Sequence, residues 1–193
     1  MRKAIFISLF ILSFSLLSAQ EKPLHQIYSD VNCQYREAIE KIAKSSQFEL
    51  TQGKAKKKLI IHPAIVEGLI IELTKADPAF KNESGAKGIF PLTKEIAEIL
   101  MLNYEKLSEP QYSIENGVVY LTQILTKHKG EIFSSLVEYL GEIVPKKPKY
   151  EIESIILRTF HHFKQLEGLG TCEVFEQERL AELEYNESVV KSE

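Results

Sequence analysis

The sequence predicts an all-α fold, and three observations support this prediction. Apolar residues recur at helical spacing in five separate segments. No segment shows the clean alternation of apolar and polar residues that is typical of a half-buried strand. The chain is 44% hydrophobic and 26% charged, which is close to the globular average and excludes a disordered, collagen-like or coiled-coil protein.

The strongest helical pattern lies in residues 61–73, where apolar side chains recur every four positions and form one wide stripe. Pro63 suits the first turn of this helix, because its nitrogen has no proton to leave unpaired. The same spacing predicts four further helices, at residues 96–100, 114–125, 132–140 and 152–163.

The segments between these helices are rich in turn-forming residues. Residues 77–88 contain several of them, and Gly130 closes the third helix. The Pro-Lys tract at residues 145–149 is predicted to be extended and exposed. Residues 20–58 carry a weaker helical pattern that ends in a basic run, and residues 171–193 are predicted to form an acidic helix and tail.

The first 19 residues have the layout of a secretory signal peptide. Arg2 and Lys3 precede an apolar run that ends shortly before Ala19. The run is too short to cross a bilayer comfortably, which takes about 20 apolar residues. We therefore expect cleavage after Ala19, a periplasmic or secreted protein and no transmembrane segment in the mature chain; an N-terminal membrane anchor is the alternative.

Charge and motif content exclude several functional classes. The net charge of −3 argues against nucleic-acid binding, which requires a basic surface. No metal-binding His-Glu-x-x-His motif or phosphate-binding glycine loop is present, so we predict neither a metal nor a cofactor. The adjacent histidines His161 and His162 point in different directions on a helix, and we expect a surface pair.

Cys33 and Cys172 are the two cysteines of the chain, which excludes a four-cysteine zinc site and a disulfide-dense miniprotein. In an oxidising compartment they can form a disulfide that ties the N-terminal segment to the C-terminal one. Two separately buried thiols are the alternative, because the sequence does not give the distance between the two positions.

Several motifs between residues 59 and 141 occur in a familiar order and spacing. Asp77-Pro78 is followed after seven residues by a glycine turn, Gly85-Ala86-Lys87-Gly88. Residues 114–121 then read Ile-Glu-Asn-Gly-Val-Val-Tyr-Leu, and residues 138–141 read Glu-Tyr-Leu-Gly. In these motifs the chain resembles the catalytic domain of soluble lytic transglycosylases, lysozyme-like enzymes that cleave peptidoglycan.

The resemblance implies a lysozyme-like helical domain, which we place at residues 59–170, and a peptidoglycan glycan strand as its ligand. Gly85 and Gly88 would then let the loop backbone lie close to the glycan. Tyr120 and Tyr139 would offer flat ring faces on which sugars stack.

The resemblance fails at the catalytic acid. The family's glutamic acid lies four residues before the acid of the acid-proline step, and here that position holds Leu73. Leucine can neither donate nor accept a proton. Lys87, Pro91 and Leu140 also replace residues that are typical of the family.

We therefore expect a non-catalytic protein that binds peptidoglycan or serves as an interaction or scaffold module, with a cell-wall enzyme or another envelope protein as its partner. The alternative is an active lytic transglycosylase that uses Glu72 as general acid and base. Glu72 precedes the expected position by one residue, so this alternative requires a one-residue shift in the turn before Asp77.

Overall fold

The computed structural model describes residues 24–52 and 55–167 of the chain. Its elements, in chain order, are α1 (Leu24–Ser45), β1 (Phe48–Gln52), β2 (Ala55–Leu59), α2 (Pro63–Thr74), α3 (Lys94–Ile99), a 3₁₀ helix (Tyr104–Ser108), α4 (Pro110–Lys127), α5 (Ile132–Ile143) and α6 (Lys149–Glu167). The predicted all-α fold is confirmed, and each of the five predicted helices is present.

The signal segment at residues 1–19 and the acidic segment at residues 171–193 lie outside the described residues. Within the described part of the chain, every helix is either too short or too polar to cross a bilayer.

Helix α2 packs against both α1 and α6. His62 caps its first turn, because the imidazole Nδ1 accepts a hydrogen bond from the Ala64 amide, and Pro63 occupies the first helical position. Nine of its twelve residues are buried. The helix ends at Lys75, which adopts the left-handed conformation with φ 53°.

The helix predicted over residues 20–58 is present as α1 up to Ser45, but from Phe48 onward the prediction is wrong, because the chain forms an antiparallel hairpin of β1 and β2. Phe48 pairs with Leu59 across the hairpin and is buried against the core, with β1 packed on α4. Each strand has only five residues, so the alternation of apolar and polar side chains is too short to stand out in the sequence.

The Pro-Lys tract at residues 145–149 is exposed, as predicted, but it forms a turn rather than an extended segment. The Lys147 amide donates a hydrogen bond to the Val144 carbonyl, and α6 begins at Lys149. A short turn therefore connects the end of α5 to the start of α6.

Helix α4 packs against the aromatic ring of Phe90, which is fully buried. A Cβ atom at Gly117 of α4 would lie only 1.9 Å from Cδ1 of Phe90. Glycine at this position therefore allows the ring to lie directly against the helix backbone.

We predict that Gly117→Ala lowers the free energy of unfolding by about 2 kcal/mol, because the added methyl group displaces the Phe90 ring. Gly141→Ala in α5 is the matched control, since nothing lies within 4 Å of the added Cβ. This control should be neutral or stabilise the protein by up to about 1 kcal/mol, as alanine favours helix. Urea denaturation measures both, and equal effects of the two substitutions would contradict the packing described here.

Candidate functional site

A cleft of about 510 Å³ lies where the end of α2 meets the following loop, the end of α5 and the first half of α6. Its apolar lining consists of Leu73, Phe80, Ile143, Val144, Tyr150 and Ile155. Its polar lining consists of Glu72, Asn82, Lys147, Glu151, Ser154 and Arg158. A second hollow of about 420 Å³ shares four of these residues, so the two hollows adjoin.

Asn82 fixes the loop that follows α2 to the end of α5. Its side-chain amide donates a hydrogen bond to the Ile143 carbonyl at 2.9 Å, and its Oδ1 accepts from the Ser84 and Ala86 amides at 3.0 and 2.9 Å. The Ser84 hydroxyl lies 2.7 Å from the same Ile143 carbonyl oxygen and 2.6 Å from Asn82 Oδ1. This network holds one wall of the cleft in place.

Gly85 and Gly88 both adopt positive φ, at 78° and 98°, as their place in a glycine turn predicts. Gly88 is buried, and a Cβ atom there would lie 2.3 Å from the Leu107 carbonyl oxygen and 2.4 Å from Ser113 Oγ. We expected the Gly88 backbone to lie close to a glycan, but here it lies close to other atoms of the protein. The Gly85 carbonyl accepts a short hydrogen bond from the Tyr104 hydroxyl.

Leu73, at the position where the resemblance leads us to expect a catalytic acid, is half-buried and lines the cleft. Neither this side chain nor that of Phe80 can exchange a proton. The cleft therefore has an apolar surface at the position where the resemblance would require a carboxylic acid.

Glu72 also borders the cleft, but α6 holds its carboxylate on both oxygens. Arg158 Nε donates to Oε1 at 2.7 Å, and His162 Nε2 lies 3.3 Å from Oε2. Because a carboxylate only accepts hydrogen bonds, His162 donates here through Nε2, while its Nδ1 lies 2.8 Å from the Tyr28 hydroxyl. The chain of contacts joins α1, α6 and α2.

These contacts decide the protonation state of Glu72. Burial raises the pKa of Glu72, but the hydrogen bonds from His162 and Arg158 and the charges of Arg158 and Lys75 outweigh it and leave the pKa below its usual value. A general acid that cleaves a glycosidic bond needs a raised pKa instead, so that it still holds a proton near neutral pH. In this arrangement Glu72 is an ionised partner in an ion pair.

Tyr139 is a core residue rather than the sugar-stacking surface that we expected. Its side chain is fully buried, its hydroxyl donates to the Pro91 carbonyl at 2.9 Å, and its ring centroid lies 5.5 Å from that of Phe90. Tyr120 is half-buried and donates its hydroxyl proton to Glu142. Neither tyrosine lines the described cleft.

The residues of α6 that border or support the cleft carry no recognisable sequence pattern. His162 is buried, which corrects our expectation of a surface pair with His161. Tyr150, which is 68% exposed and lines the cleft, also gave no sequence signal because a single tyrosine on a helix is usually a packing residue. The places of these side chains at the cleft depend on how α6 packs against α2. That packing brings together residues that are more than 80 positions apart in the sequence.

Two further expectations concern cysteines and metals. Cys33 is disulfide-bonded, whereas Cys172 lies outside the described residues, so the predicted pairing of these two residues stays a prediction. Within residues 24–52 and 55–167, no group of three or more His, Cys, Asp or Glu side chains is arranged to hold a metal ion.

Comparison of the chain with protein-family models gives no match, and comparison with curated proteins gives none either.

We predict that Leu73→Glu still folds, with its thermal midpoint lowered by no more than about 10 °C, because the new carboxylate reaches the water of the cleft. Leu69→Glu is the matched control one turn earlier on α2, where the side chain is fully buried. A carboxylate there loses its hydration without gaining a partner, so this variant should unfold. Circular-dichroism melting measures both, and an unfolded Leu73→Glu would contradict the cleft position of residue 73.

Proposed function

We propose that this protein is an exported lysozyme-like domain that binds a peptidoglycan glycan strand in the cleft beside α2 without cleaving it. The observation that carries the proposal is the chemistry at the end of α2. Leu73 lines the cleft at the position where the lytic transglycosylases that the sequence resembles have their acid, and the carboxylate of the neighbouring Glu72 is held by Arg158 and His162.

The composition of the cleft supports glycan binding. Sugar rings stack on aromatic faces and hydrogen-bond through their hydroxyl groups to polar side chains. The exposed ring of Tyr150 provides such a face, and Ser154 and Lys147 lie near it in the lining. Tyr150 thus takes the role that we had expected of Tyr139.

A second candidate is an active lytic transglycosylase, and the position of Glu72 at the edge of the cleft favours it. In that case the glycan would have to displace Arg158 from Glu72, so that the carboxyl group could hold a proton. His162 on the same helix, α6, also contacts the carboxylate, so the glycan would have to displace both side chains to free Glu72.

One experiment separates these functions. The purified chain is incubated with insoluble peptidoglycan; co-sedimentation measures binding, and liquid chromatography with mass spectrometry of the soluble fraction detects anhydro-muropeptides. We expect binding without anhydro products. Anhydro products that disappear with Glu72→Gln would establish the enzyme instead, and absence of binding would contradict both functions.

Tyr150→Ala tests whether the cleft is the binding surface. Loss of a stacking face should weaken binding about tenfold, which corresponds to about 1.4 kcal/mol. Leu157→Ala is the matched control, because Leu157 lies on the same helix, is 66% exposed and does not line the cleft. Equal effects of the two substitutions would place the glycan elsewhere on the surface.

A further inference from the structure

A second carboxylate of α2, that of Glu67, is buried where α2 packs against α1. The side chain is completely inaccessible to solvent. Arg36 of α1 donates a short hydrogen bond from Nη1 to Oε2 of Glu67. Arg36 also donates from Nε to Glu40 on its own helix at 3.1 Å, so the guanidinium divides its protons between two carboxylates.

The other oxygen of Glu67, Oε1, is buried and accepts no hydrogen bond from the described residues. A buried carboxylate with one unpaired oxygen is costly, because it has lost its hydration without full replacement. A proton on Oε1 removes the charge and leaves the hydrogen bond from Arg36 to Oε2 in place. The geometry thus favours the protonated form of Glu67.

The charged groups around Glu67 only partly oppose this preference. Burial raises the pKa of Glu67 to about 7, the charge and hydrogen bond of Arg36 lower it, and the charge of Glu40 raises it. On α6, which also packs on α2, Arg158 and His162 reach α2. Both bind Glu72, which lies five residues and about 7.5 Å further along the helix.

We propose that Glu67, with Arg36 and Glu40, forms a proton-binding junction that holds α1 on α2 more firmly when Oε1 is protonated. The direction in which stability changes with pH follows from the linkage between proton binding and folding. Because the folded-state pKa of about 7 lies above the ordinary glutamate value of 4.5, the protonated junction contributes its full stability below about pH 4.5. That contribution is lost as the pH rises through about 7. The contribution of this junction to the stability of the fold therefore increases on acidification.

The experiment compares the full chain with Glu67→Gln, which keeps the shape of the side chain but cannot ionise. Urea denaturation at several pH values gives the unfolding equilibrium constants. We divide the unfolding equilibrium constant of the unsubstituted protein by that of Glu67→Gln. This ratio should rise roughly 30-fold between about pH 5.5 and about pH 8.5. Glu37→Gln on the exposed face of α1 is the control and should follow the native profile.

If the stability of the unsubstituted protein varied with pH in parallel with that of Glu67→Gln, the proposal would be overturned, since Glu67 would then bind no proton over this pH range. If Glu67→Gln does not fold, Arg36→Met provides the second test, because it keeps Glu67 and removes the cation that stabilises the carboxylate. The pH at which native stability declines should move upward in Arg36→Met. An unchanged profile in this variant would also overturn the proposal.

Discussion

Burial of α2 on nearly every side is the constraint on which the rest of the structure depends. A helix in this position must find internal partners for each of its polar side chains, because water cannot reach them. Thr74 meets this requirement within hydrogen-bond distance of the Ile70 and Ile89 carbonyls. Glu67 meets it in part through α1, and Glu72 through α6. The helices around α2 are therefore held by its carboxylates as well as by its apolar side chains.

The same constraint determines the chemistry of the cleft. Successive residues of a helix point in directions that differ by about 100°, so Glu72 and Leu73 meet different neighbours although both line the cleft. The carboxylate of Glu72 meets Arg158 and His162, while Leu73 lies on the cleft. The position of the carboxylate on α2, which differs by one residue between the two cases, decides whether it forms an ion pair with α6 or serves as an acid in the cleft. In this chain it forms the ion pair.

The helices were predictable because their signal is local: apolar residues every three or four positions mark the face that each helix buries. The hairpin was not, since each of its strands has only five residues, which is too few to reveal a period of two. The side chains of the cleft were predicted least well. Tyr139 turned inward and His162 became buried because of contacts with distant elements, such as the Tyr28 hydroxyl 134 positions away. Local patterns carry no information about such partners.

Glu72 is thus an ionised structural partner of α6 rather than a proton donor in the cleft. A carbon-13 NMR titration of the side-chain carboxyl of Glu72, assigned by comparison with Glu72→Gln, tests it most directly. The account predicts a midpoint below the usual glutamate value, because the hydrogen bonds from His162 and Arg158 stabilise the charged form. A midpoint raised toward neutral pH would contradict it and would give Glu72 the protonation state that a catalytic acid requires.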